Sequence, residues 1–464
     1  MVNSVENTKS KEWLPEKVAV LGAGRSGIAV TRFLTDKDIA VFISESCTSD
    51  NLDFILASNG MADVPHEADG HTEAVLGCGL VILSPGIPSD IPILDKAREA
   101  RIPVWSEIEL GYRHSKAPFL AVTGSTGKST TVELLGSILE AAGKEHAVAG
   151  NIGTPIIQEA PVISDKGFVA VEISSFQLEN IELFRPRVAA VLNLMKNHLD
   201  RYESEDDYYS AKKSIVQNMA GEDTLVLNAQ DKHCVTWAQN MNGKVKIVFF
   251  GMDIKDTDCV WCFGSHLYGR FDKRVEAIGD ISSMKIKGKH NIDNVCAAAA
   301  MAEIAGIDNE AITKGISEFA GLPHRLEFVR EINGVSYYND SKATTAESVE
   351  CAVKAFNSNV HLIAGGKDKG CDFSSIYESL KATVKSVRLI GEAAGRILKE
   401  WKDIADIGKV ESLKDALDEI SAMTDSGDVV ILSPGCSSFD MFSNFEERGN
   451  EFKRLVNELE EGSG

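Results

Sequence analysis

The run Thr123-Gly124-Ser125-Thr126-Gly127-Lys128-Ser129-Thr130 combines two glycines, a lysine and several hydroxyl side chains. Glycines let backbone N–H groups approach phosphate oxygens, a lysine reaches the outer phosphates, and a hydroxyl can ligate a divalent cation. The spacing therefore points to a nucleoside triphosphate site. Val122 stands where the first glycine of the full G-x-x-x-x-G-K spacing would be, so this loop is a shorter variant. A second run, Gly22-Ala23-Gly24-Arg25-Ser26-Gly27, with Glu45 farther on, has the pattern of a dinucleotide fingerprint. The same geometry can hold the diphosphate of a nucleotide sugar. Taken alone, this run leaves an NAD-dependent oxidoreductase open as an alternative, but that class leaves the lysine-bearing loop without a purpose.

Other groups sit where chemistry would need them. Glu172 closes the apolar run Phe168-Val169-Ala170-Val171, and an acid at a strand end in a phosphate-loop domain suits a magnesium-linked carboxylate. The run Val188 to Leu192 leads into Asn193-Leu194-Met195-Lys196-Asn197-His198-Leu199-Asp200-Arg201-Tyr202, which is dense in metal-capable and phosphate-capable side chains. Cys259 and Cys262 form a lone Cys-x-x-Cys in a strand-like stretch. Without a second pair they are read as reduced thiols rather than a zinc or redox centre.

The elements that must carry these groups follow from apolar periodicity. Lys17 to Leu21, Ala40 to Ile43, Leu80 to Leu83 and Pro103 to Trp105 read as strands separated by helical stretches, the pattern of a parallel sheet. Phe119 to Thr123 opens a second unit, continued by Phe168 to Val171, Val188 to Leu192, Thr224 to Leu227 and Val245 to Phe249. A third contains His361 to Ala364, Val387 to Ile390 and Val429 to Leu432. Leu83-Ser84-Pro85-Gly86 and Leu432-Ser433-Pro434-Gly435 echo one another at strand ends, where open α/β sheets bind ligands.

The chain has 464 residues, enough for several domains, and a formal charge of −21 with no basic block. That balance argues against a nucleic-acid or anionic-membrane surface. The first residues lack the apolar core of a signal peptide, and the longest small-apolar run, Val295 to Ile304, is too short to span a bilayer. The expectation is a cytoplasmic protein, with nine cysteines in a reducing compartment and no disulfides.

In order and spacing, several segments resemble the Mur ligase family. They are the phosphate loop, Gly150-Asn151-Ile152-Gly153, Glu172 to Gln177, Asn193 to Arg201, and Gly288-Lys289-His290-Asn291 to Asn294. The C-terminal segments are most similar to the branch that adds D-glutamate: Gly321 to Glu327, Asn339-Asp340-Ser341-Lys342-Ala343-Thr344, Gly365-Gly366-Lys367-Asp368-Lys369, and Ser433 through Ser438 to Glu446. Folylpolyglutamate synthases and the other Mur ligases share the phosphate loop. Asn197 and Thr345 depart from the family pattern, which has aspartate and often asparagine there.

The resemblance implies three α/β domains: a Rossmann-like domain for the UDP substrate at 1–116, a central P-loop ATPase-like domain with a parallel sheet at 117–321, and a Rossmann-like domain for the amino acid at 322–464. It implies a monomer that acts on UDP-N-acetylmuramoyl-L-alanine and D-glutamate, with ATP, two Mg2+ ions and a carbamylated lysine. On this reading Gly124, Ser125, Thr126, Gly127, Lys128, Ser129, Thr130, Asn291, Asn294, Arg325 and Asp340 hold ATP. Ser129, Glu172, His198 and carbamylated Lys213 hold metal. Lys213 is chosen over its neighbour Lys212 by family spacing from His198, on a helix expected over Asp206 to Asn218. Lys128, Glu172, His198, Lys213 and Lys342 are the expected catalytic groups. Gly24, Arg25, Ser26, Ser44, Glu45, Ser84, Gly86 and Asn151 are expected at the UDP substrate, and Lys342, Thr344, Lys369, Ser438 and Phe445 at D-glutamate.

Overall fold

Lys17–Leu21 (β1), Ala40–Ser44 (β2), His66–Glu67 (β3), Leu80–Leu83 (β4) and Val104–Ser106 (β5) pair in parallel in the order β3-β2-β1-β4-β5. They belong to a computed structural model that describes residues 12–151, 153–195, 201–202, 204–241, 243–356, 359–368, 370–404 and 406–459. Val18 to Leu21 and Leu80 to Leu83 are buried throughout, as continuous apolar runs are when helices cover both faces of a parallel sheet. The strand order reverses between β1 and β4, which opens a crevice at their carboxyl ends.

The second sheet comprises Phe119–Thr123 (β6), His146–Gly150 (β7), Phe168–Glu172 (β8), Val188–Val191 (β9), Thr224–Asn228 (β10), Lys246–Phe250 (β11), Cys259–Phe263 (β12), His266–Phe271 (β13) and Arg274–Asp280 (β14). Its order is β14-β13-β12-β11-β10-β9-β6-β8-β7. The pairings from β7 through to β12 are parallel, whereas β13 and β14 extend the strand-like Cys259–Phe263 stretch in antiparallel fashion, which the apolar pattern did not reveal. Most of β14 is exposed, so it lacks the alternation that marks a half-buried strand. Cys259 and Cys262, three apart on β12, leave opposite faces of that strand and cannot chelate one ion together.

Glu327–Ile332 (β15), Val335–Asn339 (β16), Val360–Gly365 (β17), Val384–Ile390 (β18), Ile407–Lys409 (β19) and Val429–Leu432 (β20) form the third sheet, in the order β15-β16-β20-β17-β18-β19. Only β15 runs antiparallel to its neighbour. At the start of these strands His361 bonds Ser386 at 2.7 Å and Asp428 at 3.0 Å, all three buried. This Ser–His–Asp set lies at the amino ends of β17, β18 and β20, away from the carboxyl ends where such sheets bind ligands. It pins strand register.

The chain divides into two compact units, residues 1–282 with 293–316, and residues 283–292 with 317–464. The first two sheets therefore share one unit. A buried cluster joins them. Arg113 donates to Glu109 at 2.6 Å and lies 3.9 Å from the Trp105 ring, and Glu109 accepts the N–H groups of Glu182, Leu183 and Phe184, each at 2.9 Å. Among the described residues no helix is long and apolar enough to cross a membrane.

Glu107, one turn before that cluster, is fully buried. One oxygen accepts Ile157 N–H at 2.8 Å, and the other has no partner among the described residues. Burial pushes this carboxyl up to about 7 from an ordinary 4.5, against the hydrogen bonds of Ile157 and Ile156. Between those values the unfolded chain releases a proton that the folded chain keeps, so stability falls as pH rises, by ~1.4 kcal/mol per unit. Glu107→Gln is expected to match the wild type at pH 4 and to exceed it by about 3 kcal/mol at pH 8. Urea unfolding at both values measures this, and equal stabilities at pH 8 would refute it.

Candidate functional site

The phosphate loop leaves β6 and enters the helix Lys128–Ala141, with Gly127 at its N-cap in the left-handed region, φ 84°. A Cβ at Gly127 would lie 2.4 Å from Asn294 Oδ1, and one at Gly124, φ 146°, would lie 3.1 Å from Leu192 Cβ. Glycine is thus required at both positions by backbone angle and by crowding. The Lys128 ammonium folds back on its own loop, donating to Gly124 O at 3.0 Å and Ser125 O at 3.3 Å. Asn193 holds the loop from outside. Its Oδ1 accepts Ser125 N–H at 3.0 Å and Thr126 N–H at 2.9 Å, and its Nδ2 donates to Thr126 O at 3.2 Å. Within the Asn193–Arg201 segment no motif singles this residue out for a separate role. Ser129 is buried in the first helical turn, and Thr130 follows it half-buried.

Glu172 is buried at the end of β8. Asn151 donates to its Oε1 at 3.2 Å, and its Oε2 has no partner among the described residues. The helix expected to continue to Asn218 ends at Lys213, and its final two lysines differ sharply. Lys213, expected at the metal, instead lies with Nζ 5.9 Å from the Trp237 ring and only half-buried. Lys212 is the buried one, 2% exposed, with Nζ 2.9 Å from Gly124 O. Burial first, and then the Lys128 charge, pull its ammonium down to about 7, with Glu172 opposing. Of the two neighbours, Lys212 is the one that packs on the phosphate loop. Spacing from His198 does not resolve two adjacent lysines, whereas the side that packs on the loop does. His198 and Asn197 lie outside the described residues.

Gly24, Arg25, Ser26, Glu45, Ser84, Gly86 and Asn151 line one cleft of about 460 Å³ at the carboxyl ends of β1 and β4, together with Gly150, Gly153 and Pro155. Arg25 donates to Gly153 O at 3.1 Å across it. Burial alone would raise the Glu45 carboxyl, but hydrogen bonds from Ala23 and Ser46 outweigh it and hold the group below its ordinary value. Ser44 does not belong to this set. It is fully buried, bonded to Glu67 at 2.6 Å and His71 Nδ1 at 2.7 Å, because alternation along β2 turns it away from the neighbouring Glu45.

In the other compact unit, Asp340 follows β16 and is buried, accepting Leu326 N–H at 3.1 Å and the Ser433 hydroxyl at 2.8 Å. Burial pushes its carboxyl up to about 7, offset by Ser433, Leu326 and the Arg325 charge. Lys342 Nζ lies 5.3 Å from the Phe445 ring, which also meets His324 edge-on at 5.9 Å. Ser438 is buried beside the exposed Phe439, and Thr344 is half-buried. Arg448, which no sequence motif marks, gathers these loops. Its guanidinium donates to Ser341 Oγ at 3.0 Å, Ser341 O at 2.8 Å and Cys436 O at 3.1 Å. Thr345 caps the helix Ala346–Lys354 by accepting Ser348 N–H at 3.3 Å, a task asparagine performs equally well. Asn291 is buried early in the helix Lys289–Ile304 and donates to Lys287 O at 2.7 Å. Lys369 lies outside the described residues.

Three family models cover most of the chain: the Mur ligase MurD-like N-terminal domain over residues 16–106, the Mur ligase middle domain over 122–302, and the Mur ligase glutamate ligase domain over 324–436. A UDP-N-acetylmuramoylalanine–D-glutamate ligase of Geotalea uraniireducens is 40% identical over 98% of this chain and 100% of its own length. The chain belongs to the Mur ligase family. A protein of the same name from Koribacter versatilis is 38% identical, over 96% of this chain and 98% of its own. The fold of this Mur ligase also matches the UDP-N-acetylmuramate–alanine ligase of Thermotoga maritima, with TM-score 0.58, 19% identity, and 95% and 99% of the two chains covered. A pseudomurein peptide ligase from Methanothermus fervidus gives 0.57 at 16% identity, over 96% and 100%. Membership decides against the nicotinamide alternative.

Proposed function

We propose that this Mur ligase joins D-glutamate to UDP-N-acetylmuramoyl-L-alanine at the expense of ATP, giving the dipeptidyl nucleotide, ADP and phosphate for peptidoglycan precursor synthesis. The observation that carries the chemistry is the phosphate loop, with Lys128 bonded to it and Glu172 buried at the end of the neighbouring strand β8. The near full-length likeness to ligases of that name supports the choice of amino acid. The three sheets correspond to substrate, ATP and amino-acid domains at 1–116, 117–321 and 322–464, acting as a cytoplasmic monomer.

A carboxylate resists attack by an amine because its carbon is shielded by negative charge and its oxygen leaves poorly. Transfer of the γ-phosphoryl group to the substrate carboxylate gives an acyl phosphate, and attack by the D-glutamate amine then forms the C–N bond and expels phosphate. Lys128 and the loop N–H groups hold the phosphates in line, so positioning and charge supply the catalysis. Asn291, Arg325 and Asp340 serve the nucleotide, while Asn294 underlies Gly127. Lys342, Thr344, Lys369, Ser438 and Phe445 serve D-glutamate, whose two carboxylates need separate donors. The cleft of Gly24, Arg25, Ser26, Glu45, Ser84, Gly86 and Asn151 takes the UDP end.

Two magnesium ions fit the donors present, because a buried carboxylate oxygen without a protein partner is a hard-cation ligand in waiting. Ser129, Glu172, His198 and Lys212 as its carbamate would hold them. Magnesium, when bound, neutralises charge on the phosphate and carboxylate oxygens. The carbamate forms when neutral Lys212 Nζ adds to CO2 and releases a proton, and burial of that amine favours the neutral form.

Phosphate release with UDP-N-acetylmuramoyl-L-alanine is expected with D-glutamate and not with L-alanine, L-lysine or meso-diaminopimelate. Faster turnover with any of the other three would assign the chain to a different branch.

A further inference from the structure

The loop after β4 carries Ser84 and Gly86 at the nucleotide-sugar cleft, and Ser89 farther along it. The Ser89 hydroxyl donates to Glu179 Oε2 at 2.5 Å, and the Tyr202 hydroxyl donates to Glu179 Oε1, also at 2.5 Å. Asn180 adds a bond to Ser89 Oγ at 2.8 Å. Beside them Arg201 donates to Ile87 O at 3.1 Å, while its guanidinium lies 3.7 Å from the Phe176 ring that stacks on Tyr202. The Tyr202 ring is 5.4 Å from that of Tyr208, whose hydroxyl donates to Ser125 Oγ in the phosphate loop at 3.4 Å. One carboxylate thus spans the cleft loop of the first sheet and a line of aromatic rings that ends at the phosphate loop.

We propose that Glu179 is a positioning residue that registers the cleft loop Ser84–Ser89 against the phosphate loop, so that the acceptor end of the nucleotide sugar meets the γ-phosphate at a fixed distance. The inference rests on the functional reading above. A carboxyl group suits this task because its two oxygens accept one hydroxyl bond each, and a bridge broken at either end no longer transmits position. Misplacement by an ångström is enough to cost rate without weakening ATP binding.

The test is a double-mutant cycle in ligation kinetics on Ser89→Ala and Tyr202→Phe, two residues that Glu179 bridges, with Glu179→Gln as the conservative variant. Each single change is expected to lower kcat roughly tenfold with the KM for ATP within about twofold. The double variant should fall no more than about twofold below the worse single one. Effects that multiply, or a lowered melting temperature with kcat unchanged, overturn the proposal. Amide hydrogen exchange reads the same link without the reaction: saturating UDP should slow exchange at Ser125 and Thr126 in the wild type and lose that effect in Glu179→Gln. An equal response in the variant overturns the link, whereas a wild type that fails to ligate D-glutamate counts against the functional reading alone.

Discussion

Lys212→Ala is expected to lower ligation by roughly 10²- to 10³-fold, and Lys213→Ala to leave it within about threefold. The two lysines are neighbours in sequence and in the same helical turn, yet only Lys212 is buried against the phosphate loop, bonded to Gly124 O and 4.6 Å from the Tyr208 ring. Its ammonium, pulled down to about 7 by burial and then by Lys128, is neutral in a large fraction at neutral pH, and a neutral amine is what CO2 requires. On the proposed reading, removing the side chain removes both the carbamate and its place in the ligand set. Acetate or formate, which restore a carboxylate in the vacated space, should recover part of the activity of Lys212→Ala and none in Lys213→Ala. Carbon-13-labelled bicarbonate offers a second measurement, with a carbamate resonance lost only in Lys212→Ala. A Lys212→Ala enzyme of near wild-type rate would end this assignment.

Lys128→Ala should lose turnover by about 10³-fold while remaining folded. Without the lysine's own bonds to Gly124 O and Ser125 O, the loop is still held by Asn193 through Ser125 N–H and Thr126 N–H and by the glycine geometry at Gly124 and Gly127. What is lost is a cation at the transferring phosphoryl group. A linked effect follows from the charges: Lys128 helps hold the Lys212 ammonium down, so its removal should raise the Lys212 pKa and shift carbamate formation to higher pH. Phosphate release across a pH series, with circular dichroism as the check on folding, measures both. Full ligase activity in this variant, or NADH oxidation by the wild type, would remove the ligase reading.

Much of the architecture could be read from composition and order, because each sign of it is local. Apolar runs such as Leu80 to Leu83 and Val429 to Leu432 are buried strands whatever they pack against, and Gly124 to Ser129 announces a phosphate loop through backbone freedom and helix start alone. The polar echo at Ser84 and Ser433 correctly marks two strand ends, one at the cleft and the other on Asp340. The antiparallel strands β13 and β14 escaped notice because an edge extension exposed to water needs no apolar alternation.

The sequence by itself therefore determined the α/β class, the three sheets' principal strands, the phosphate loop and the order of motifs that marks a Mur ligase. Tertiary structure decided which side chain of a local pair faces the loop or the cleft. One residue along a helix turns the side chain by about 100°, which separates Lys212 from Lys213, and one residue along a strand turns it to the opposite face, which separates Glu45 from Ser44. It also decided the supporting groups. Asn193 holds the phosphate loop, Arg448 gathers three chain segments, and Glu179 bridges Ser89 and Tyr202. Their partners lie from 12 to 107 residues away in the chain, and a polar side chain acquires its function from what packing brings to its donors and acceptors, which no local pattern encodes.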